Sequence, residues 1–517
     1  MAKTDNSKLH NKPTVLIVMD GFGIPKDVRR SGITAENTQN IQNLCARFSN
    51  TKIRASEEYV GLPKGQAGTS EVGHMTIGSG RVPYQPLVRI NKEIETGDFY
   101  KNKEFLKAID YAKKNGKKIH LIGIPSDGGI HSHINHLFAL LKLCKEQNFE
   151  QVFVHFIGDG RDTSPKSAKK YIRMVEKKEK ELGIGKIATV VGRFYALDRD
   201  KNWDRNKFAY ELWTDGKGKQ FDNITKAIDN AYEMGETDEF LTPICLMQNG
   251  KLVAKIEKGD VVFSYNFRAD RERQLAYILA EKNDLDFVKP LNLYVVTMTE
   301  YDEHFSCVHV AYKTEVHKNI LSEVLSKNGI KQAKIAETEK YAHLTFFFNS
   351  GKQDAYEGED RFLIESKKMA SYAKCPEMGA ERIADKAVEI LDKYDFVAIN
   401  FANCDMVGHS GDKMATRIAV EVVDKCVKRV VDRVLSLGGC GIVTADHGNA
   451  DIMEELDGTP NTSHTTSIVP LILFGEDYVG EKLRKDGSLA DIAPTILKMM
   501  NVAIPKDMTG RVLFENK

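Results

Sequence analysis

No run of apolar residues in this 517-residue chain approaches the roughly 20 needed to span a bilayer. Stretches such as TVLIVM and IVPLILFG fall far short of it, and the N-terminal MAKTDNSKLHNKP is polar, without the apolar centre of a secretory signal. An excess of either charge is also missing. Lys and Arg total 74 against 73 Asp and Glu, so no global basic field exists to hold nucleic acid or an anionic membrane. The eight cysteines (Cys45, Cys144, Cys245, Cys307, Cys375, Cys404, Cys426 and Cys440) include no C-x-x-C pair and no short-spaced framework, which fits reduced thiols in the cytosol. Repeats and low-complexity segments are absent as well. These absences predict a soluble, cytoplasmic protein with no membrane or nucleic-acid partner. Its length is too great for one ordinary core and suggests roughly two to four domains.

What is present is a set of acids and histidines placed at or near the ends of short apolar runs. VAINFANCDMVGH supplies Asp405 and His409, GIVTADHGN supplies Asp446 and His447, NTSHTTSIVP supplies His464, and TVLIVMDGFG supplies Asp20. QAGTSEVGH adds Ser70 in a glycine-flanked turn. Open α/β sheets gather their chemistry at the carboxyl edge of buried parallel strands, so residues this far apart in sequence can converge. Taken singly, an Asp after a strand is ordinarily a helix cap and a His a structural residue; the joint pattern is what argues for a site. Three carboxylates, three imidazoles and one hydroxyl suffice for two metal ions and a nucleophile. With oxygen and nitrogen donors and no thiolate, such a set favours Mn²⁺, Zn²⁺ or Mg²⁺. Asp405 and His409, four apart, share a face if their segment is helical. Ser70 is a poor nucleophile until a divalent cation lowers its pKa, and the glycines around it permit close backbone approach to a phosphate.

Between these motifs a second series of apolar runs ends in polar or Arg-bearing turns: KKIHLIGIPSDGG, QVFVHFIGDGRD, KIATVVGRFYALDRD, DVVFSYNFRADR and LNLYVVTMTEYD. Helix-like stretches, INHLFALLKLCKEQ and SAKKYIRMVEKKEKEL, lie between them, so strand and helix alternate as in a parallel α/β unit. The expected architecture is α/β: a parallel-sheet domain split in sequence, residues 1–84 and 315–517, with an inserted α/β domain at 85–314.

These residues and the strings around them carry a family resemblance. GLPKGQAGTSEVGHMTIGSGR, SDGGIHSHINHLFALL, GDGRDT, VGRFYALDRDKNWDR, FSYNFRADR, IAETEKYAHLTFFF, NCDMVGHSGD, TADHGNAD and SHTTSIVP run almost end to end. Through them the chain resembles the cofactor-independent (2,3-bisphosphoglycerate-independent) phosphoglycerate mutases of the alkaline phosphatase superfamily. The resemblance implies an alkaline phosphatase-like, metal-binding domain, an inserted substrate-binding and phosphotransferase domain, and a substrate enclosed between the two lobes. It implies one metal held by Asp405, His409 and His464, and another by Asp20, Ser70, Asp446 and His447. The metals are expected to be Mn²⁺, with Zn²⁺, Co²⁺ or Mg²⁺ as alternatives, and no 2,3-bisphosphoglycerate is needed.

The inserted domain supplies cations at or just past its strand ends: Arg161, Arg193, Arg199, Arg268 and Arg271. Guanidinium forks suit the carboxylate and phosphate of a phosphoglycerate, and Arg268 and Arg271, three apart, are placed to share a helical face. The resemblance implies acid/base work on glycerate hydroxyls for Asp162, substrate contact for His131, and neutralisation of the transferring phosphoryl group for Lys340. His133 and His136 read as structural, and by its own neighbours Lys340 reads as a surface residue. Thr69 departs from the Asn that the family commonly has before its nucleophile, so a hydroxyl or backbone contact must replace an amide there.

The implied reaction is the interconversion of 3-phosphoglycerate and 2-phosphoglycerate by a monomer acting on a small-molecule substrate, through a phosphoserine at Ser70. The alternatives are another phosphomonoesterase or a phosphopentomutase of the same superfamily, or an inactive metabolite-binding homologue.

Overall fold

The computed structural model describes residues 12–281, 284–313 and 317–514. The chain divides into two compact units, Met1–Gln85 with Val316–Lys517, and Pro86–Glu315. The polar N-terminal segment up to residue 11 and the expected second boundary at 314/315 lie outside the described residues.

The first unit is built on a seven-stranded sheet. From edge to edge its strands are Glu359–Ile364, Gln332–Glu337, Phe396–Phe401, Thr14–Met19, Cys440–Thr444, Val469–Phe474 and Ser49–Ile53. The first five are parallel, and the central Thr14–Met19 and Phe396–Phe401 are mostly apolar without alternation because both sheet faces are covered there. Every residue of Thr14–Met19 and of Phe396–Phe401 is buried. The last two strands run antiparallel to their neighbours, Val469–Phe474 pairing with Cys440–Thr444 from Leu471 opposite Thr444 to Phe474 opposite Gly441. This reversal was not read from the sequence, and it matters for function. A residue ahead of an antiparallel strand reaches the same sheet edge as residues that follow parallel strands, so His464 arrives beside Asp405 and His447.

The longest helix, Lys413–Ser436, starts at Asp412, whose side chain accepts from the Ala415 N–H, the usual N-cap bond. Val420, Val423, Val427, Val430 and Val434 are buried along it at three- and four-residue spacing, which is the apolar stripe of a helix packed on a core. No described helix is long and apolar enough to cross a membrane, and all eight cysteines are free thiols.

The second unit carries its own sheet: Val308–Tyr312, Tyr294–Thr299, Val261–Ser264, Ile119–Gly123, Val152–Gly158, Lys186–Gly192, Ile244–Gln248 and Lys219–Phe221 in order, with Lys251–Leu252 paired to Ile244–Gln248. The strands from Val308–Tyr312 through Lys186–Gly192 are parallel, and Ile244–Gln248 is antiparallel to the last of them. Helices Ile134–Glu146 and Ala168–Leu182 connect successive parallel strands and bury residues such as Leu137, Leu140, Leu141, Ile172 and Val175. In both units most of the residues singled out by sequence lie past the ends of parallel strands; Ser70 and His464 do not.

Candidate active site

In the first unit seven side chains meet at the carboxyl edge of the sheet. Asp20 leaves strand Thr14–Met19 into a turn at Gly21, whose φ of +77° and whose position, with a Cβ only 2.7 Å from the Asp405 Cα, admit no side chain. Asp405 lies in helix Asn403–Gly408, where the His409 N–H donates to the Asp405 carbonyl, so the two side chains do share a helical face. Ser70 is the first residue of helix Ser70–Ser79, and Thr69 caps it, its hydroxyl oxygen accepting from the Val72 N–H. At Gly73 a Cβ would stand 2.8 Å from the Asp446 carbonyl oxygen, so glycine there lets the helix close on the Asp446 turn.

Ser70 Oγ is held at three points. It lies 2.6 Å from Lys340 Nζ, 2.9 Å from His447 Nε2 and 3.2 Å from Asp20 Oδ1. Lys340 Nζ is also 2.6 Å from Asp20 Oδ1 and 2.6 Å from Asp405 Oδ2. Lys340 is thus a buried member of the site, which corrects its reading as a surface residue: a polar segment reads as exposed unless its charge finds buried partners. Burial opposes its charge, yet the carboxylates of Asp20 and Asp405 hold its pKa above the ordinary lysine value.

His464 Nε2 and His409 Nε2 stand 3.0 Å apart and approach the same Asp405 Oδ1, at 3.0 and 3.2 Å. Each ring turns its Nδ1 to a backbone carbonyl, Gly68 for His464 and Thr462 for His409. Nδ1–H donation leaves both Nε2 lone pairs pointing inward, an arrangement that calls for a positive charge among the three groups. Ligand atoms of Asp405, His447 and His464, and of Asp20, Asp446 and His447, fall within 4.8 Å of one another.

Burial works against ionising Asp405, but the Lys340 charge holds its carboxyl well below the usual range. Asp446 is likewise held low against burial, by His447 and His74. Asp20 goes the other way, raised by burial and by the charge of Asp446. Three buried acids around one lysine are therefore short of positive charge, and the donor set fits divalent cations.

In the second unit the expected cations converge on a cluster of acids. Arg193, directly after strand Lys186–Gly192, is buried, and its Nη1 donates to Asp159 Oδ1 (2.8 Å) and Asp162 Oδ2 (2.5 Å), its Nη2 to His131 Nε2 (2.6 Å). Burial and the Arg193 charge push His131 down to about 4, so its Nε2 is an acceptor at neutral pH. Arg199 and Arg268 both pair with Asp270, at 3.1 and 3.0 Å, and Arg161 lies 3.8 Å from Glu239 with its side chain half exposed. Arg271 donates to the Leu197 carbonyl. Its pKa is lowered by burial and by the charges of Arg193, Arg199 and Arg161. Guanidinium forks in such numbers suit an anion.

Arg268 and Arg271 do not share a helical face. Arg268 has extended backbone and only Arg271 enters the three-residue 3₁₀ turn Ala269–Arg271; Arg268 pairs with Asp270, between them in sequence. His133 caps helix Ile134–Glu146 and His136 bonds Asn91.

Sequence reasoning missed several partners. Asp159 in GDGRDT and Asp270 in FRADRER orient the arginines, while buried Glu272 accepts from Asn266 Nδ2 (2.5 Å) and Ser264 Oγ (3.0 Å). In the first unit, His74 and Asn400 touch the Asp446 and Asp20 carboxylates. The signal was there for Asn400, a polar residue inside the apolar run VAINF.

A parallel-sheet α/β unit whose carboxyl edge carries an Asp/His cluster around a serine at a helix N-terminus defines an α/β protein with a candidate metal-binding site. Residues 90–303 match the family model for the BPG-independent PGAM N-terminus. A 2,3-bisphosphoglycerate-independent phosphoglycerate mutase from Clostridium botulinum (strain Langeland) is 47% identical over 511 residues, covering 98% of this chain and 100% of the relative. The corresponding protein of Moorella thermoacetica is 45% identical over 506 residues, covering 97% and 98%. Among solved structures, phosphoglycerate mutase of Leishmania mexicana, crystallised at low cobalt concentration, superposes with a TM-score of 0.54 at 27% identity, covering 99% of each chain. The chain belongs to the 2,3-bisphosphoglycerate-independent phosphoglycerate mutase family.

Proposed function

We propose that this protein interconverts 3-phosphoglycerate and 2-phosphoglycerate through a phosphoserine at Ser70, without 2,3-bisphosphoglycerate. The observation that carries this is the setting of Ser70 Oγ: 2.6 Å from a buried lysine and 2.9 Å from His447, at the start of a helix. A helix N-terminus and an ammonium group both stabilise negative charge as it develops on the serine and on a phosphoryl group in flight.

Asp405, His409 and His464 would hold one divalent ion and Asp20, Ser70, Asp446 and His447 a second. Such ions lower the pKa of a serine hydroxyl and neutralise phosphoryl oxygens. Mn²⁺ suits a set of oxygen and nitrogen donors without thiolate, and the cobalt named for the Leishmania relative fits the same preference.

Ser70 Oγ attacks the phosphorus of 3-phosphoglycerate, with Lys340 donating to the reacting oxygens throughout. Glycerate is left, and its carboxylate is gripped by Arg161, Arg199, Arg268 and Arg271. Arg193 forms the floor of that grip and fixes His131 and Asp162, whose carboxylate takes or returns the proton of a glycerate hydroxyl. The C2 hydroxyl of the reoriented glycerate then attacks the phosphoserine, and 2-phosphoglycerate results. A phosphomonoesterase, which surrenders its alcohol to water, would have no use for so many arginines. The enzyme works as a monomer in the cytoplasm, on a small molecule and without a nucleic-acid or membrane partner.

Turnover of 3-phosphoglycerate in the absence of 2,3-bisphosphoglycerate is the test. Protein stripped by a chelator should be inactive and recover with Mn²⁺; full activity after stripping, or a strict need for the bisphosphate, would refute the proposal.

A further inference from the structure

The chain holds a hydrogen-bonded relay that neither the nucleophile nor the expected metal ligands account for. His74 lies on the same helix as Ser70 and is fully buried. Its Nδ1 is 2.8 Å from the Ser70 carbonyl and 3.1 Å from Asp446 Oδ2, two acceptors, so Nδ1 carries the proton. Its Nε2 lies 3.0 Å from Asn400 Nδ2, and the same amide nitrogen donates to Asp20 Oδ2 at 2.8 Å. The carboxylate of Asp20 fixes the amide: turned over, Asn400 would set an oxygen against an anion. Every hydrogen is then assigned, with one Asn400 N–H on Asp20, the other on the His74 lone pair, and the His74 Nδ1–H on the Ser70 carbonyl, Asp446 Oδ2 lying 3.1 Å from the same nitrogen.

This relay reaches both carboxylates of the set Asp20, Asp446 and His447, and the backbone of the serine. It does not reach the other set. Asp405 has separate support, from Asn449 Nδ2 at 2.8 Å. Asp20 Oδ2 is occupied by Asn400, which leaves Oδ1 as the atom facing Ser70 and Lys340.

We propose that His74 and Asn400 are positioning residues for one of the two divalent-ion sites only, the one formed by Asp20, Ser70, Asp446 and His447. The proposal rests on the two-metal reading above. Groups that orient ligands in this way change metal affinity by about 10–100-fold when removed. His74→Ala and Asn400→Ala should each weaken one Mn²⁺ equivalent by that factor and leave the other at its wild-type affinity. His74→Asn, whose amide nitrogen can stand where Nδ1 stood, should recover part of the loss.

The measurement is equilibrium dialysis of the full-length protein against Mn²⁺ with elemental analysis of the retained metal, and thermal unfolding of the metal-free form reports whether each variant folds. Wild-type protein that retains fewer than two equivalents overturns the two-metal reading itself. Given two in the wild type, variants that keep both at unchanged affinity, or lose both alike, overturn the positioning role. Should His74→Ala fail to fold, Asn400→Ala and His74→Asn decide the question by the same criterion.

Discussion

Replacing Lys340 by Met should separate stability from catalysis in a way that depends on metal. Its Nζ lies 2.6 Å from carboxylate oxygens of both Asp20 and Asp405, and the lysine side chain is only 3% exposed. At that distance and an effective dielectric of about 20, each pair has on the order of 6 kcal/mol of Coulomb attraction before desolvation is counted. Removing one partner of a buried pair nets a loss of about 3–5 kcal/mol, because the remaining charge is stranded. Metal-free Lys340→Met should therefore lose that much in denaturant unfolding followed by circular dichroism. Divalent ions supply the missing positive charge, so much of the stability should return on adding Mn²⁺, and the affinity for metal should rise once a neighbouring cation is gone. Turnover should not return. Loss of a donor aimed at the reacting oxygen costs about 100–1000-fold in kcat. A metal-free variant as stable as wild type would refute the buried-pair argument, and near-normal turnover with Mn²⁺ would remove Lys340 from the chemistry.

Ser70→Ala should abolish mutase activity while 3-phosphoglycerate still binds in an equilibrium titration, since the arginine cluster does not depend on the nucleophile; measurable turnover by the variant refutes the phosphoserine route. Arg161→Ala should loosen the grip on glycerate, raising the ratio of phosphate release to 2-phosphoglycerate formed and admitting isotopically labelled free glycerate into product; an unchanged ratio excludes Arg161 from the grip. Burial raises the Glu272 carboxyl from 4.5 to about 7, against hydrogen bonds from Asn266 and Ser264. The native state then keeps a proton that the unfolded chain has released, so this group lowers stability by about 3 kcal/mol as pH rises from 4.5 to 7. Glu272→Gln should flatten that slope in urea unfolding followed by tryptophan fluorescence, which reports on this unit because Trp203 and Trp213 are the chain's two tryptophans; an identical slope in the variant refutes the raised carboxyl.

The parts of the site that were legible in the sequence are those that follow directly from strand geometry. Asp20, Asp405, Asp446 and His447 stand just past buried parallel strands, where an apolar run breaks off at an acid, and the arginines of the second unit follow the same rule. His464 was found by its neighbours, yet its placement depends on strand Val469–Phe474 running antiparallel, which local sequence does not encode. Lys340 was obscured because AETEKYAH has the composition of a solvated segment; only three-dimensional pairing with Asp20 and Asp405 buries it. His74 sits four residues after Ser70, a spacing that puts both on one helical face, but its partner Asp446 is remote in sequence. Thr69 has a local explanation in the helix cap it forms, which a hydroxyl serves as well as an amide does.

The central claim is that phosphate passes through Ser70. Full-length, Mn²⁺-loaded protein mixed with 3-phosphoglycerate, quenched in acid within the first turnovers and digested for mass spectrometry should carry phosphate on the peptide containing Ser70, and on that serine within it. Ser70→Ala treated in the same way should carry none. Active wild-type protein that never accumulates phosphoserine, or that carries its phosphate on another residue, would contradict the account.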